Sequence, residues 1–239
     1  IFDKETAEVV TIAMASSGTT SVTRGTNNPK ALVKAQDDDE IFEVMLPPPE
    51  SFDMFRDKPV SMGIIKKRKL VHRDHDWHRS VHVWLVDPER RLVLLQKRSP
   101  EKDTFPNRWD ISSAGHIEAE DGSSSCSRET AIRELEEELG VISKTKAAVS
   151  KDDLVFGFTC PAEQAPIGGC NCYEDVYFLH EDSQTCQFQI GIAEVTEVKW
   201  IQWEELQLAW NSQDETVVPR VEPYKKAFFK VLNERILVK

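Results

Sequence analysis

The sequence predicts an α+β domain in which a mixed β-sheet lies between helices, and three observations carry that expectation. Two apolar runs rich in β-formers, 81–86 and 92–95, flank a turn containing Pro88; an amphipathic helix over 126–139 is stopped by Gly140; and a second amphipathic helix follows Pro223. A chain that mixes sheet and helix buries its apolar faces most simply by covering the sheet with the helices.

Each element follows from its residues. Order is expected to begin near Glu40, where Ile41, Phe42, Val44 and Leu46 form a strand-like run halted by Pro47, Pro48 and Pro49, and a loop then continues to about Val60. The runs 81–86 and 92–95 read as a hairpin around Asp87-Pro88-Glu89-Arg90-Arg91. In the helix over 126–139, Ile132, Leu135 and Leu139 share a stripe, and Gly140 stands where a left-handed cap is wanted. Further strands are expected at 154–158, 175–179 and 195–203. In the last helix Tyr224, Ala227, Phe228, Val231 and Leu232 recur at helical spacing, with Pro223 suited to a first turn.

The ends and the bulk composition narrow the function. Residues 14–36 contain no acid and are rich in Ser, Thr, Gly and Asn, so 1–38 is expected to be a disordered tail and 39–239 the folded domain. Such a tail is also the composition of an organelle-targeting remnant, so a cytoplasmic location is expected, or a plastid or mitochondrial one if the segment is such a remnant. A net charge of -11 disfavours nucleic acid and anionic membrane as partners, because neutralising phosphates needs a basic surface. No apolar run approaches the roughly 20 residues of a membrane span. Five cysteines, an odd number without the dense spacing of a stapled secreted domain, suit a reducing compartment and free thiols.

The chemistry concentrates in Arg133-Glu134-Leu135-Glu136-Glu137-Glu138-Leu139-Gly140-Val141. Helical geometry brings Glu134, Glu137 and Glu138 together at i, i+3 and i+4 while Leu135 and Leu139 turn to the core. Like charges at these spacings repel, so the helix either leaves them to solvent or uses them to capture a cation, and hard oxygen ligands select Mg2+ or Mn2+. Upstream stand Gly115 and, six positions on, Asp121.

Together these residues resemble the signature of the Nudix family: a Gly, an acid six positions on, then Arg-Glu-hydrophobic-x-Glu-Glu-x-Gly-hydrophobic. Gly115, Asp121, Arg133, Glu134, Leu135, Glu137, Glu138, Gly140 and Val141 fill those places. Asp121 stands where Glu is usual, and eleven residues separate it from Arg133 where the family has seven, a four-residue insertion around 122–125. The resemblance implies a Nudix-like α/β/α sandwich with a mixed sheet over 39–239. It also implies Mg2+, with Mn2+ able to substitute, held by Glu134, Glu137, Glu138 and the Gly115 carbonyl, and hydrolysis of a diphosphate linkage in a small organic or nucleoside diphosphate derivative. Glu137 or Glu138 is then the expected base, with Glu118 or Glu194 as outside candidates, and Arg133 orients the carboxylates. Lys97, Arg98, Arg108, His116 and Trp84 are the expected substrate contacts.

The stretches 71–84 and 102–110 are similar to the isopentenyl-diphosphate-isomerase-like branch of that family. True isomerases carry a catalytic Cys two residues before His116, where this chain has Ala114, and a further glutamate where it has Cys172, so the resemblance is to the plant and bacterial hydrolases of the branch. His72, His78 and His116 occupy places similar to histidines that bind a second metal in the isomerases; without the glutamate at 172, histidines hydrogen-bonded beside the cleft are expected instead. Cys170-x-Cys172 is by itself a weak zinc signal, because zinc pairs usually have two to four intervening residues. The alternatives to hydrolysis are a non-catalytic subunit of a larger assembly and an isomerase, and the chain is expected as a homodimer or part of a complex.

Overall fold

The computed structural model describes residues 9–14, 20–25, 37, 39–120, 123–124, 126–141 and 149–236. In chain order the strands are β1 Val9–Met14, β2 Thr20–Gly25, β3 Ile41–Met45, β4 Ser61–Lys67, β5 His78–Asp87, β6 Leu92–Arg98, β7 Trp109–Asp110, β8 Ser113–His116, β9 Ala119–Glu120, β10 Ser123–Ser124, β11 Leu154–Glu163, β12 Asn171–His180, β13 Phe188–Ile190 and β14 Val195–Gln202. The α-helices are α1 Arg68–Asp74, α2 Ser127–Glu134, α3 Trp203–Asn211 and α4 Glu222–Val231.

Seven strands form the central sheet, in the order β11-β12-β5-β6-β14 with β8 on β5 and β7 on β6. It is mixed, because β12 runs parallel to β5 while the other pairs are antiparallel. Strand pleating sends alternate residues of β5 to opposite faces. Val81, Val83 and Leu85 meet Ala131, Leu135 and Leu139 of the carboxylate helix, together with Tyr177 and Leu179. Trp84 and Val86 meet Trp210, Tyr224, Phe228 and Val231 of α3 and α4, together with Phe158 and Phe178. The sheet is therefore covered on both faces, which is the expected sandwich. Among the described residues no helix is long and apolar enough to cross a membrane.

Two features differ from the sequence expectation. The strand expected to run to Trp203 ends at Gln202, and Trp203, Leu206 and Trp210 then bury one side of α3. Within the stretch expected to be a disordered tail, β1 and β2 pair with one another and β1 pairs with β13; the rest of 1–36 lies outside the described residues. Of the four-residue insertion, Ser123 and Ser124 form β10 against β9, while Gly122 and Ser125, like the preceding Asp121, lie outside the described residues.

The end of α2 matters for the site. After Glu134 the chain widens into a π-helical turn over Leu135–Leu139, closed by the Gly140 N–H bonding to the Leu135 carbonyl at 2.9 Å. Gly140 takes the left-handed conformation (φ 49°) that glycine adopts without penalty. The Gly191 N–H fixes the same turn from outside through the Glu138 carbonyl, at 2.9 Å.

Candidate metal and diphosphate site

A cavity of about 490 Å3 opens where β5, β6, β8, α2 and β12 converge with the loops that follow β6 and precede β12. Glu118, Glu134, Glu137 and Glu194 line it, as do Arg68, Arg98, Lys102 and Arg220. Carboxylates and cations thus share one concave space, the arrangement that a metal-bridged anionic ligand requires.

The three helix glutamates are not equivalent, and their burial and partners differ. Glu134 is 8% exposed and faces the cavity, and Glu137 is exposed at its mouth. Glu138 is 0% exposed and is not among the lining residues; its Oε2 accepts from the Ala114 N–H at 2.9 Å and from Gln96 Nε2 at 3.0 Å, and Lys102 Nζ stands 3.5 Å from its Oε1. Lys102 also pairs with Glu194. Burial and the Glu138 charge push Glu134 well above the usual carboxylate range, with Arg133 opposing. Burial likewise raises Glu138 against the pull of Lys102, and raises Glu137 against that of Arg133.

The donor set suits a hard divalent ion. Several carboxylates whose ionisation is held back by burial and mutual repulsion would regain it beside a cation. Gly115 supplies a second sign of close fit, because a Cβ there would land on the Glu134 carboxyl group. Its lack of a side chain lets β8 and α2 approach until the Gly115 backbone lies beside that carboxylate. Arg133 lines the same wall, bonding Glu118 at 2.5 Å and reaching Glu134 at 3.4 Å.

The other expected contacts divide. Arg98 lines the cavity and is held by Thr104 and by Asp110 Oδ2 at 3.1 Å, and His116 lines it too. Lys97 and Arg108 are not among the lining residues; Lys97 lies 4.0 Å from Glu197, and Arg108 lies over the Phe105 ring. Trp84 is corrected from a substrate contact to a core residue: it is 0% exposed, packs on Phe228 with centroids 4.5 Å apart, and donates its indole N–H to Tyr224 at 2.8 Å. Alternation along β5 explains this, since Trp84 shares a sheet face with Val86 against α4.

Sequence reasoning missed Arg68, Lys102, Asp110, Glu174 and Arg220 in the lining. Arg220 pairs with Asp110, 110 residues away, and no local pattern announces such a contact. Glu174 is buried at the cavity floor, where burial pushes its carboxyl up to about 8 against the opposing pull of Arg220.

Beside this wall lies a histidine and cysteine group. Burial pushes His116 down to about 3, which keeps the imidazole neutral. The Cys170 thiol is held well below its ordinary range, chiefly by its hydrogen bond with Cys172, while burial and that same bond raise Cys172.

Comparison with known proteins agrees with this geometry. The NUDIX domain model matches residues 76–221, more than half of the chain. Nudix hydrolase 3 of Arabidopsis thaliana is 39% identical over 173 residues, which is 71% of this chain and 21% of that protein, so the chain spans about a fifth of that relative's length. Prenyl-diphosphate phosphatase of Methanosarcina mazei is 28% identical over 161 residues, 66% of this chain and 81% of that protein. The crystal structure of DR0079 from Deinococcus radiodurans shares the fold, with a TM-score of 0.53 at 19% identity over 80% of this chain and 98% of that one. The matched segment contains the carboxylate helix, Gly115 and the cavity cations Arg98, Lys102 and Arg220, and the chain belongs to the NUDIX domain family.

Proposed function

We propose that this chain hydrolyses a diphosphate linkage in a small organic or nucleoside diphosphate derivative, with Mg2+ held by Glu134, Glu137, Glu138 and the Gly115 carbonyl. The observation that carries the reading is the cavity itself, in which Glu118, Glu134, Glu137 and Glu194 meet Arg68, Arg98 and Lys102. When bound, the metal supplies charge for the phosphoryl oxygens and lowers the pKa of a water.

The residues of the chain do the rest. Arg98, Lys102 and Arg68 take the phosphate oxygens, and the bonds that already hold Arg98 to Thr104 and Asp110 fix its orientation before the ligand arrives. Glu137 is the base on this reading, because it is the exposed carboxylate of the three and lies at the cavity mouth, where an attacking water can reach it. Glu138 is the buried member of the ligand set: its Oε2, bonded to Ala114 and Gln96, braces the helix end against β8, and its Oε1, with only Lys102 Nζ at 3.5 Å, is the oxygen left for the ion. Arg133 orients Glu118 and Glu134.

The printed name of the Methanosarcina mazei relative brings prenyl diphosphates into the substrate panel. The test is release of phosphate or monophosphate from isoprenyl diphosphates, dinucleotides, nucleotide sugars and thiamin diphosphate in the presence of Mg2+. Turnover of at least one member is expected, with Glu134→Gln and Glu137→Gln each lowering kcat/KM roughly 100-fold or more while the fold persists. Absence of turnover across the panel, or near-normal rates in both variants, overturns the reading.

A further inference from the structure

Two thiols meet on the wall of the cavity. Cys170 lies in the loop before β12 and Cys172 near the start of that strand, and an extended chain turns residues two apart to the same side. Their sulfurs are 3.3 Å apart. Both residues line the cavity, but they differ in access: Cys170 is half-buried, and Cys172 is 3% exposed. A reagent that enters the cavity therefore meets Cys170 first, with Cys172 behind it.

The imidazoles around the pair set where its protons sit. His116 Nδ1 lies 3.2 Å from Arg68 Nη1, which can only donate, so Nε2 carries the ring proton and presents it to the Cys170 sulfur at 3.8 Å. His78 Nδ1 lies 3.0 Å from the Asp76 carbonyl, which can only accept, so there Nδ1 carries the proton and Nε2 accepts. Cys172 stands in register with His78 across β12 and β5, its Sγ 3.2 Å from that Nε2. The Cys172 proton thus has two acceptors in reach, His78 Nε2 and the Cys170 sulfur. Donation from Cys172 and His116 favours a thiolate at Cys170, while burial keeps Cys172 protonated. An accessible thiolate backed by a protonated thiol is the pairing of an attacking with a resolving cysteine.

We infer that Cys170 and Cys172 form a redox-active dithiol, which hydrogen peroxide entering the cavity oxidises to a disulfide. The Cys170 thiolate attacks one peroxide oxygen and the O–O bond breaks; the sulfur keeps a hydroxyl as a sulfenic acid, and the departing hydroxide takes the former thiol proton to become water. Cys172 then passes its proton to His78 Nε2 and attacks the sulfenic sulfur. The S–S bond forms as the S–O bond breaks, and the second hydroxide recovers that proton from His78 as water. Two thiols and one peroxide become one disulfide and two waters. A bond of about 2.05 Å asks the sulfurs to close by roughly 1 Å. The loop can follow, because Gly168 just upstream, at φ 85°, has nothing within 4 Å of where a Cβ would stand. Once the bond has formed neither sulfur carries a proton, so the fully buried His78 loses the donor to its Nε2, and the oxidised chain is the less stable form.

The inference does not depend on the proposed hydrolysis, because it is read on the thiols themselves. Full-length protein carrying Cys126→Ser, which removes the exposed cysteine, is reduced, held in chelator and treated with a small excess of hydrogen peroxide, then alkylated in denaturant for peptide mapping. The expected product is a disulfide between Cys170 and Cys172, with Cys160 and Cys186 alkylated and both linked thiols restored by dithiothreitol. Its melting temperature should lie roughly 2 °C or more below that of the reduced form. Added Cys172→Ser should stop the reaction at a sulfenic acid on Cys170, captured by dimedone at least about 10-fold more than in the Cys126→Ser protein, and added Cys170→Ser should leave Cys172 a thiol. The mapping itself needs neither added variant to fold. Peroxide that leaves the pair reduced, links it between chains, or carries Cys170 to a sulfinic acid beside an intact Cys172 thiol overturns the proposal, as does a mapped disulfide that leaves the melting transition unmoved.

Discussion

Glu174 illustrates how one buried side chain makes stability depend on pH. It is 3% exposed on the cavity floor; its Oε1 accepts from Gln164 Nε2 at 3.0 Å, with His82 Nε2 at 3.6 Å and Arg220 at 3.8 Å, and its Oε2 has no hydrogen-bond partner among the described residues. Burial raises the carboxyl from an ordinary 4.5 to about 8, although Arg220 opposes the shift. Between those two values the folded chain holds a proton that the unfolded chain has released, so stability falls as pH rises through that window and is flat in this respect on either side. Asp110 also faces Arg220, but it remains ionised, so it does not contribute to this slope. Glu174→Gln removes the titration. Relative to the parent, its melting temperature should therefore improve steadily from pH 5 to pH 8. Melting curves whose separation is the same at both ends would disprove the assignment.

Elements differ in how much of themselves the sequence discloses. The packing of α4 on the sheet was legible, because Tyr224, Ala227, Phe228 and Val231 recur at helical spacing and are all buried. What spacing did not disclose is that the Tyr224 hydroxyl accepts the Trp84 indole N–H at 2.8 Å and lies 3.2 Å from His82 Nδ1, joining helix to strand. Tyr224→Phe strands the indole N–H in the core and should cost about 1–3 kcal/mol. In a chain of this size that lowers the melting temperature by roughly 2–4 °C per kcal/mol, and an unchanged transition would show the bond to be dispensable. Helix α3 escaped notice because its Trp203 continues the apolar run of β14, so a strand reading absorbs its first turn. The carboxylates on α2 were legible as a group, since three acids at helical spacing are visible in the sequence. Their division into Glu134 and Glu137 facing the cavity and Glu138 behind it was not, because Glu138 is held by Ala114, Gln96 and Lys102, which only the fold brings to it. Lys102 and Arg220 were illegible for another reason: their partners Glu138, Glu194 and Asp110 lie 36 or more residues away, and only the fold brings them together.

At the scale of the whole molecule, the sandwich holds an acidic wall in place against its own repulsion. Packing of α2 on one face of the sheet and of α3 and α4 on the other fixes the ends of β5, β6 and β8, and so fixes Glu134 and Glu118 near Glu194. Without an ion, Arg133 and Lys102 offset part of that repulsion, yet Glu134, Glu137 and Glu138 all remain harder to ionise than free carboxylates. The folded state therefore has latent stability that a divalent cation can release, and linkage sets its size. An ion that binds only the folded chain adds about 2.7 kcal/mol at a hundred times its Kd, which at roughly 2–4 °C per kcal/mol raises the melting temperature by about 5–10 °C. Mg2+ added to chelator-treated protein should produce a rise of that order near neutral pH. The rise should fade as pH drops towards 5, because protonated carboxylates no longer bind the ion. Glu134→Gln should suppress the Mg2+ response. Saturating Mg2+ that leaves the transition unmoved in the parent protein would mean that the repulsion is relieved by Lys102 and Arg133 alone, and the metal-binding role of the wall would be lost with it.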